Sequence, residues 1–91
     1  MAVYVDEPVW EWRGRRWCHL LADTEEELHA FADELGLKRA WFQHRPERPW
    51  KDHYDLPEDA RRAAVRAGAL EVDLRYVAVH LRARRARAEG R

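Results

Sequence analysis

Two stretches of this chain are helices with both ends written into the sequence, and each helix lies between β-rich runs. Thr24 is followed three residues later by Glu27, a capping-box spacing, and Leu28, Phe31, Ala32 and Leu35 recur at helical intervals before Gly36. Asp55 to Glu58 repeats that spacing, Pro57 suits a first turn, and Ala60, Ala63, Ala64 and Ala67 form a slim apolar face before Gly68. Each glycine is expected to take the left-handed conformation that lets a chain leave a helix without a Cβ clash. An alternation of strands and helices restricts the chain to the α/β class.

The strands are short. Ala2 to Asp6 sets Val3 and Val5 on one side and Ala2 and Tyr4 on the other, and Glu7-Pro8 closes it. Arg15 to Leu21, following Gly14, reads as a second strand, Ala40 to Gln43 as a third and Leu70 to Val72 as a fourth. Leu74, Val77, Ala78 and Leu81 mark a last helix, with Asp73 as its cap. The expected fold is a small two- or three-layer sheet of roughly three to four mostly parallel strands with about three helices. Strands two, three and four should be mutually parallel, and the first two can pair as a hairpin.

With 91 residues the chain holds one domain, 1–91, carrying a basic helical tail from about residue 82. So small a domain buries only roughly 60% of its unfolded surface, which makes a homodimer a natural way to add buried area. Cys18 is the single cysteine, and no apolar run reaches membrane-spanning length. A cytoplasmic protein with no membrane partner is expected. Ser is absent and Gly occurs four times, which excludes Ser-based acyl transfer and a phosphate-cradling Walker loop.

Charge is balanced overall, 17 basic against 17 acidic residues, but unevenly placed. Residues 1–37 hold three Arg and nine acids, whereas residues 74–91 hold six Arg and one Glu. Such a tail can steer a nucleic acid or acidic partner at low salt, although a charge run more often does no more than solvate a helix. The five Trp residues present a similar choice: stacking surfaces for bases, or bulky filling for a small core.

In open α/β sheets ligands gather beyond the carboxyl ends of strands, where this topology places His19, Asp23, His44, Asp52, His53 and Asp55. Imidazole near its neutral pKa beside carboxylates can move protons or bind a divalent metal. Each residue also has a plain structural role available. Asp23 or Thr24 can cap the first helix and Asp55 the second, each worth about 1 kcal/mol, and His19 can be a half-buried, hydrogen-bonded strand residue. His29 is placed to pair on the helix surface with Glu25 and Asp33. Cys18 and His19, as strand neighbours, face opposite ways and cannot form a nucleophile and base.

Taken together, Val3-Tyr4-Val5-Asp6, Cys18-His19-Leu20, Ala22-Asp23-Thr24, Glu27-Leu28-His29, Trp41-Phe42-Gln43, His53-Tyr54-Asp55, Arg61 and Gly68-Ala69 resemble a family of short bacterial and phage proteins catalogued as a domain of unknown function. The resemblance runs from residue 2 to 72. It implies that His19, Asp23, His29, Gln43, His53, Tyr54, Asp55 and Arg61 form the family's characteristic polar set. Members similar to this chain often carry Ser-Lys-Arg where Asp59-Ala60-Arg61 stands here, so Arg61 alone is carried over as an anion-binding residue.

The leading reading is a ligand-binding or phosphoryl-handling domain, in its strongest form a metal-assisted hydrolase. His19, Asp23, His53 and Asp55 bind a divalent metal or act as catalytic proton carriers, while Arg61, Gln43 and Tyr54 bind the ligand, a phosphate-containing small molecule or nucleic acid. The alternative is a non-catalytic module for protein or nucleic-acid interaction, in which the polar set only makes loops rigid.

Overall fold

Trp17, His19 and Leu21 alternate with Cys18, Leu20 and Ala22, and this period of two organises the molecule. In the computed structural model, which describes residues 2–90, these six belong to the longest strand, Arg15–Ala22, flanked by pairing on both sides. Met1 and Arg91, counted in the 1–91 domain, lie outside the described residues.

The elements in chain order are β1 (Val3–Val5), β2 (Trp10–Trp12), β3 (Arg15–Ala22), α1 (Glu25–Glu34), β4 (Phe42–Gln43), β5 (His53–Pro57), α2 (Glu58–Arg66), β6 (Leu70–Glu71) and α3 (Leu74–Ala88). Single 3-10 turns lie at Arg39–Trp41 and Pro49–Lys51. The sheet runs β4-β5-β3-β1-β6, with β2 also pairing with β3. Of its pairings only β1 with β6 is parallel, so the mostly parallel sheet expected from sequence is corrected to a mixed, mainly antiparallel one.

The physical reason is β5. His53 to Pro57 carries a capping-box spacing, yet it folds as a strand: Pro57 takes the N-cap position of α2 without a side-chain cap, and Asp55 lies within β5. Inserted between β3 and β4, β5 runs antiparallel to both, so β3 and β4 share a direction although they do not touch. The expected antiparallel pairing of the first two strands is present between β1 and β3. Trp10–Trp12 adds a hairpin whose Arg13-Gly14 turn has φ of 53° and 71°, the doubly left-handed turn that suits a two-residue connection.

Apart from the Asp55 cap, the predicted helix ends hold. Thr24 Oγ1 accepts from the Glu27 amide, Asp73 from the Tyr76 amide, and Gly36 and Gly68 have φ of 72° and 111°. Both α1 and α2 cover one sheet face, burying Leu28, Ala32 and Ala64 against Val5, Cys18, Leu20, Ala22, Tyr54 and Leu56. Burial pushes the Cys18 thiol up to about 12, with the negative charge of Asp6 adding to it. On the opposite face α3 covers only the end around Tyr4 and Leu21, through Tyr76, Val77 and His80. The helix runs through the expected basic helical tail, and there Arg84 reaches the Asp52 carbonyl at 3.5 Å and Arg85 lies over Trp50. No helix among the described residues is long and apolar enough to cross a membrane.

Candidate functional site

The sheet face opposite α1 and α2 is left open near β5, and the sheet register determines what stands there. His19 is directly opposite Asp55, and Gln43 opposite His53. Side chains paired across antiparallel strands share a face, so His19, Asp55, His53 and Gln43 project together from the middle of the sheet. The expected position beyond the strand ends is thereby corrected: His53 and Asp55 belong to a strand.

One ligand atom from each of His19, His53 and Asp55 lies within 4.8 Å of the others. The two imidazole rings are 4.7 Å apart between centroids, edge to face. Both are held through Nδ1. His19 Nδ1 lies 2.6 Å from Asp6 Oδ2, and His53 Nδ1 lies 2.6 Å from the Lys51 carbonyl. Because a carbonyl oxygen can only accept, His53 Nδ1 carries a proton there. A carboxylate likewise selects the Nδ1–H form of His19. In each ring Nε2 is then the atom left to bind an ion, and His53 Nε2 already lies 3.2 Å from Asp55 Oδ1. Burial opposes charge on His53, but the Asp55 hydrogen bond, the Lys51 carbonyl and the charges of Asp55 and Asp6 outweigh it and raise its pKa.

Asp6 is the residue that sequence reasoning missed. Its side chain is wholly buried, and Oδ1 accepts the His19 amide at 2.6 Å while Oδ2 takes the ring. The carboxylate fills a gap in the sheet ladder between the end of β1 and the start of β2. A lone acid closing an apolar strand was the available signal, and the Tyr-Val-Asp run contained it.

The other sequence candidates fall elsewhere. Asp23, expected in the same pocket, is removed from it: Oδ1 accepts from Tyr4 Oη at 2.8 Å and Oδ2 from the Ala2 amide at 3.0 Å. Four residues of extended strand, about 13 Å, separate it from His19. Tyr54 is buried on the helix-covered face, its hydroxyl 2.8 Å from His29 Nδ1, so it does not line the open face. His29 pairs with Glu25 as expected, at 3.2 Å, but is largely enclosed. Arg61 neither faces His53 nor stands free, because Nε donates to the Asp6 carbonyl at 2.7 Å and a terminal nitrogen to Glu71 at 3.0 Å. It braces the segment that presents Asp6 to His19.

Two clefts flank the His19–His53–Asp55 group and meet at its Asp55. One, of ≈ 450 Å³, is walled by Arg45, Arg48 and Lys51 together with His44, His53 and Asp55. The other, of ≈ 440 Å³, is lined by Trp10, Trp12, Trp17 and Trp41. Gln43 and Asp55 border both. The cationic wall lies on the Pro-containing loop between β4 and β5, which is anchored by His44 Nδ1 at 2.8 Å from buried Asp52.

A family model described as a protein of unknown function (DUF4031) matches residues 3–84. No curated protein and no solved structure matches the chain.

Proposed function

The chain belongs to the DUF4031 family of proteins of unknown function, and from that premise we propose that it is a phosphoryl-handling domain whose His19, His53 and Asp55 hold one divalent metal ion. The observation that carries this reading is the pair of imidazoles with Nδ1 committed to oxygen partners, which leaves two Nε2 atoms beside a carboxylate. Buried second partners of this kind, Asp6 above all, orient a histidine for metal and raise its basicity. Two imidazoles and a carboxylate suit a first-row ion such as Zn²⁺ or Mn²⁺.

An ion held by His19, His53 and Asp55 would lower the pKa of a water enough for it to act as a nucleophile near neutral pH. Arg45, Arg48 and Lys51 provide N–H donors for non-bridging phosphate oxygens and offset the charge that accumulates as the ester breaks. Hydrolysis at this site would join a water oxygen to phosphorus and break the ester P–O bond, with Asp55 as the carboxylate that would take the water proton. The departing oxygen takes its proton from solvent in the open cleft. Arg61 supports the site through the Asp6 backbone, and Asp23 and Tyr54 have no part in it.

Metal analysis of protein purified without chelator, followed by calorimetry with Zn²⁺ and Mn²⁺, tests the reading. Near-stoichiometric binding is expected, together with hydrolysis of a p-nitrophenyl phosphomonoester or phosphodiester that His53→Ala and Asp55→Asn abolish. Absence of both metal and hydrolysis would leave the non-catalytic interaction module in its place.

A further inference from the structure

We propose that the phosphate ligand of this site carries an aromatic base, so that the substrate class is a nucleotide, with the base in the tryptophan-lined cleft and the phosphate in the cationic one. The inference rests on the phosphoryl-handling reading and adds to it the organic part of the substrate. Four indoles line a single cleft of ≈ 440 Å³ that is not filled by the protein's own core. Trp17 is nearly buried, and Trp12 and Trp41 stand steeply against it, at interplanar angles of 63° and 83° with centroids 5.6 and 6.3 Å away. The Trp17 indole N–H donates to the Trp12 carbonyl at 3.0 Å, which ties the β2 hairpin to the floor of the cleft. Trp12 is 53% exposed, with the Arg13 guanidinium 4.4 Å from its ring centre. The rings are thus held apart by the sheet and remain open to a guest, and bases stack on such rings whatever their sequence.

The arrangement of the two clefts selects the guest. Trp10 packs on His19 at 4.7 Å between centroids, so the aromatic cleft begins where the metal ligands end. The cationic wall is on the other side, and the clefts adjoin through Gln43 and Asp55. A ligand that fills both therefore has a flat apolar ring at one end, an anion at the other and a polar spacer between them. A sugar is such a spacer, and the exposed Gln43 amide is available to its hydroxyls. In an aryl phosphate such as phosphotyrosine the phosphate is attached directly to the ring, with no spacer to cross from one cleft to the other.

The test compares four probes on the metal-loaded protein by calorimetry and tryptophan fluorescence: a nucleoside 5′-monophosphate, ribose 5-phosphate, inorganic phosphate and phosphotyrosine. The nucleotide is expected to quench tryptophan emission and to bind about tenfold or more tighter than ribose 5-phosphate, as one stacked base provides. Trp12→Ala and Trp41→Ala should each lower nucleotide affinity toward that of ribose 5-phosphate while leaving ribose 5-phosphate itself unchanged. Trp12→Phe, at a position 53% exposed, keeps an aromatic ring against Trp17 and should retain most of the gain. Equal affinity for nucleotide and ribose 5-phosphate, or tighter binding of phosphotyrosine, overturns the inference but leaves the phosphoryl-handling reading intact. Failure of metal and of every phosphate probe to bind overturns both.

Discussion

The same side of the sheet carries two groupings of histidine and aspartate, and they have different fates. Under α3, Asp23 takes the Tyr4 hydroxyl and the Ala2 amide, and the His80 ring packs against Tyr4 with centroids 5.2 Å apart. Burial, with the Tyr76 and Asp23 hydrogen bonds, raises the Tyr4 pKa well above that of an ordinary phenol. Near β5, Asp6 also accepts two hydrogen bonds, but both come from His19, and their effect is to fix that ring beside His53 and Asp55. The residue types barely differ; the cover does. Under the helix Asp23, Tyr4 and the Ala2 amide satisfy one another, whereas the second group keeps ring nitrogens for a guest.

The sharpest way to break this contrast is to remove metal ligands from the open group and compare the result with the covered one. His19→Ala with His53→Ala should lower Zn²⁺ affinity by well over 100-fold, beyond the roughly 10- to 100-fold typical of a second-shell change. Asp23→Asn should leave Zn²⁺ affinity unchanged. Parallel losses in the two proteins by calorimetry would show that the face holds one extended site after all.

A middle-sized effect is expected at Asp6. Asp6→Asn keeps the shape and one acceptor but loses the charge that fixes the His19 tautomer, so metal affinity should fall by about 10- to 100-fold. The matched change under α3 is Tyr4→Phe, which removes a hydrogen bond to a carboxylate. It should cost roughly 1.5 to 3 kcal/mol in denaturant unfolding and leave metal binding untouched. If Asp6→Asn moves only stability, the carboxylate is a ladder-filling strut and its histidine is not aimed.

How far this contrast could be read from the sequence depends on which interactions are local. Helix ends are local, and Thr24, Gly36, Gly68 and Asp73 all act as their spacing predicts. Strand identity is not local. Asp55-Leu56-Pro57-Glu58 offers the same capping pattern as a helix start, and the choice was made by pairing with β3, twenty or more residues away in sequence, where Leu56 meets Cys18 in the core. His19, His53 and Asp55 were nevertheless grouped from sequence, but through strand ends on one edge, whereas direct cross-strand register brings them together. Asp23 stands apart for the same reason: it follows the end of β3, whereas the group forms four residues earlier, at mid-strand. Nor could spacing show that Arg61 would be occupied by the Asp6 carbonyl and Glu71, since both contacts span the fold.

The smallest expected effect concerns His80, the histidine that the covered group confines. Its Nε2 is buried and has no hydrogen-bond partner among the described residues. Burial lowers its pKa, and the nearby positive charges of Arg84 and Arg87 add to this against the Ala22 carbonyl and Asp23. Above the ordinary histidine value of about 6.5 the ring is neutral in folded and unfolded chains alike, and it contributes no pH dependence. As the pH falls below that value the unfolded chain takes up the proton first, so the folded state loses stability until the depressed folded pKa is reached. His80→Phe keeps an aromatic ring against Tyr4 and Tyr76 but cannot take up a proton. The melting temperature of wild type should therefore fall relative to that of His80→Phe as the pH drops below about 6.5, while the two curves run parallel above it. Parallel curves throughout would mean that α3 admits water to this ring, and that the covered and open halves of the face differ less than their contacts indicate.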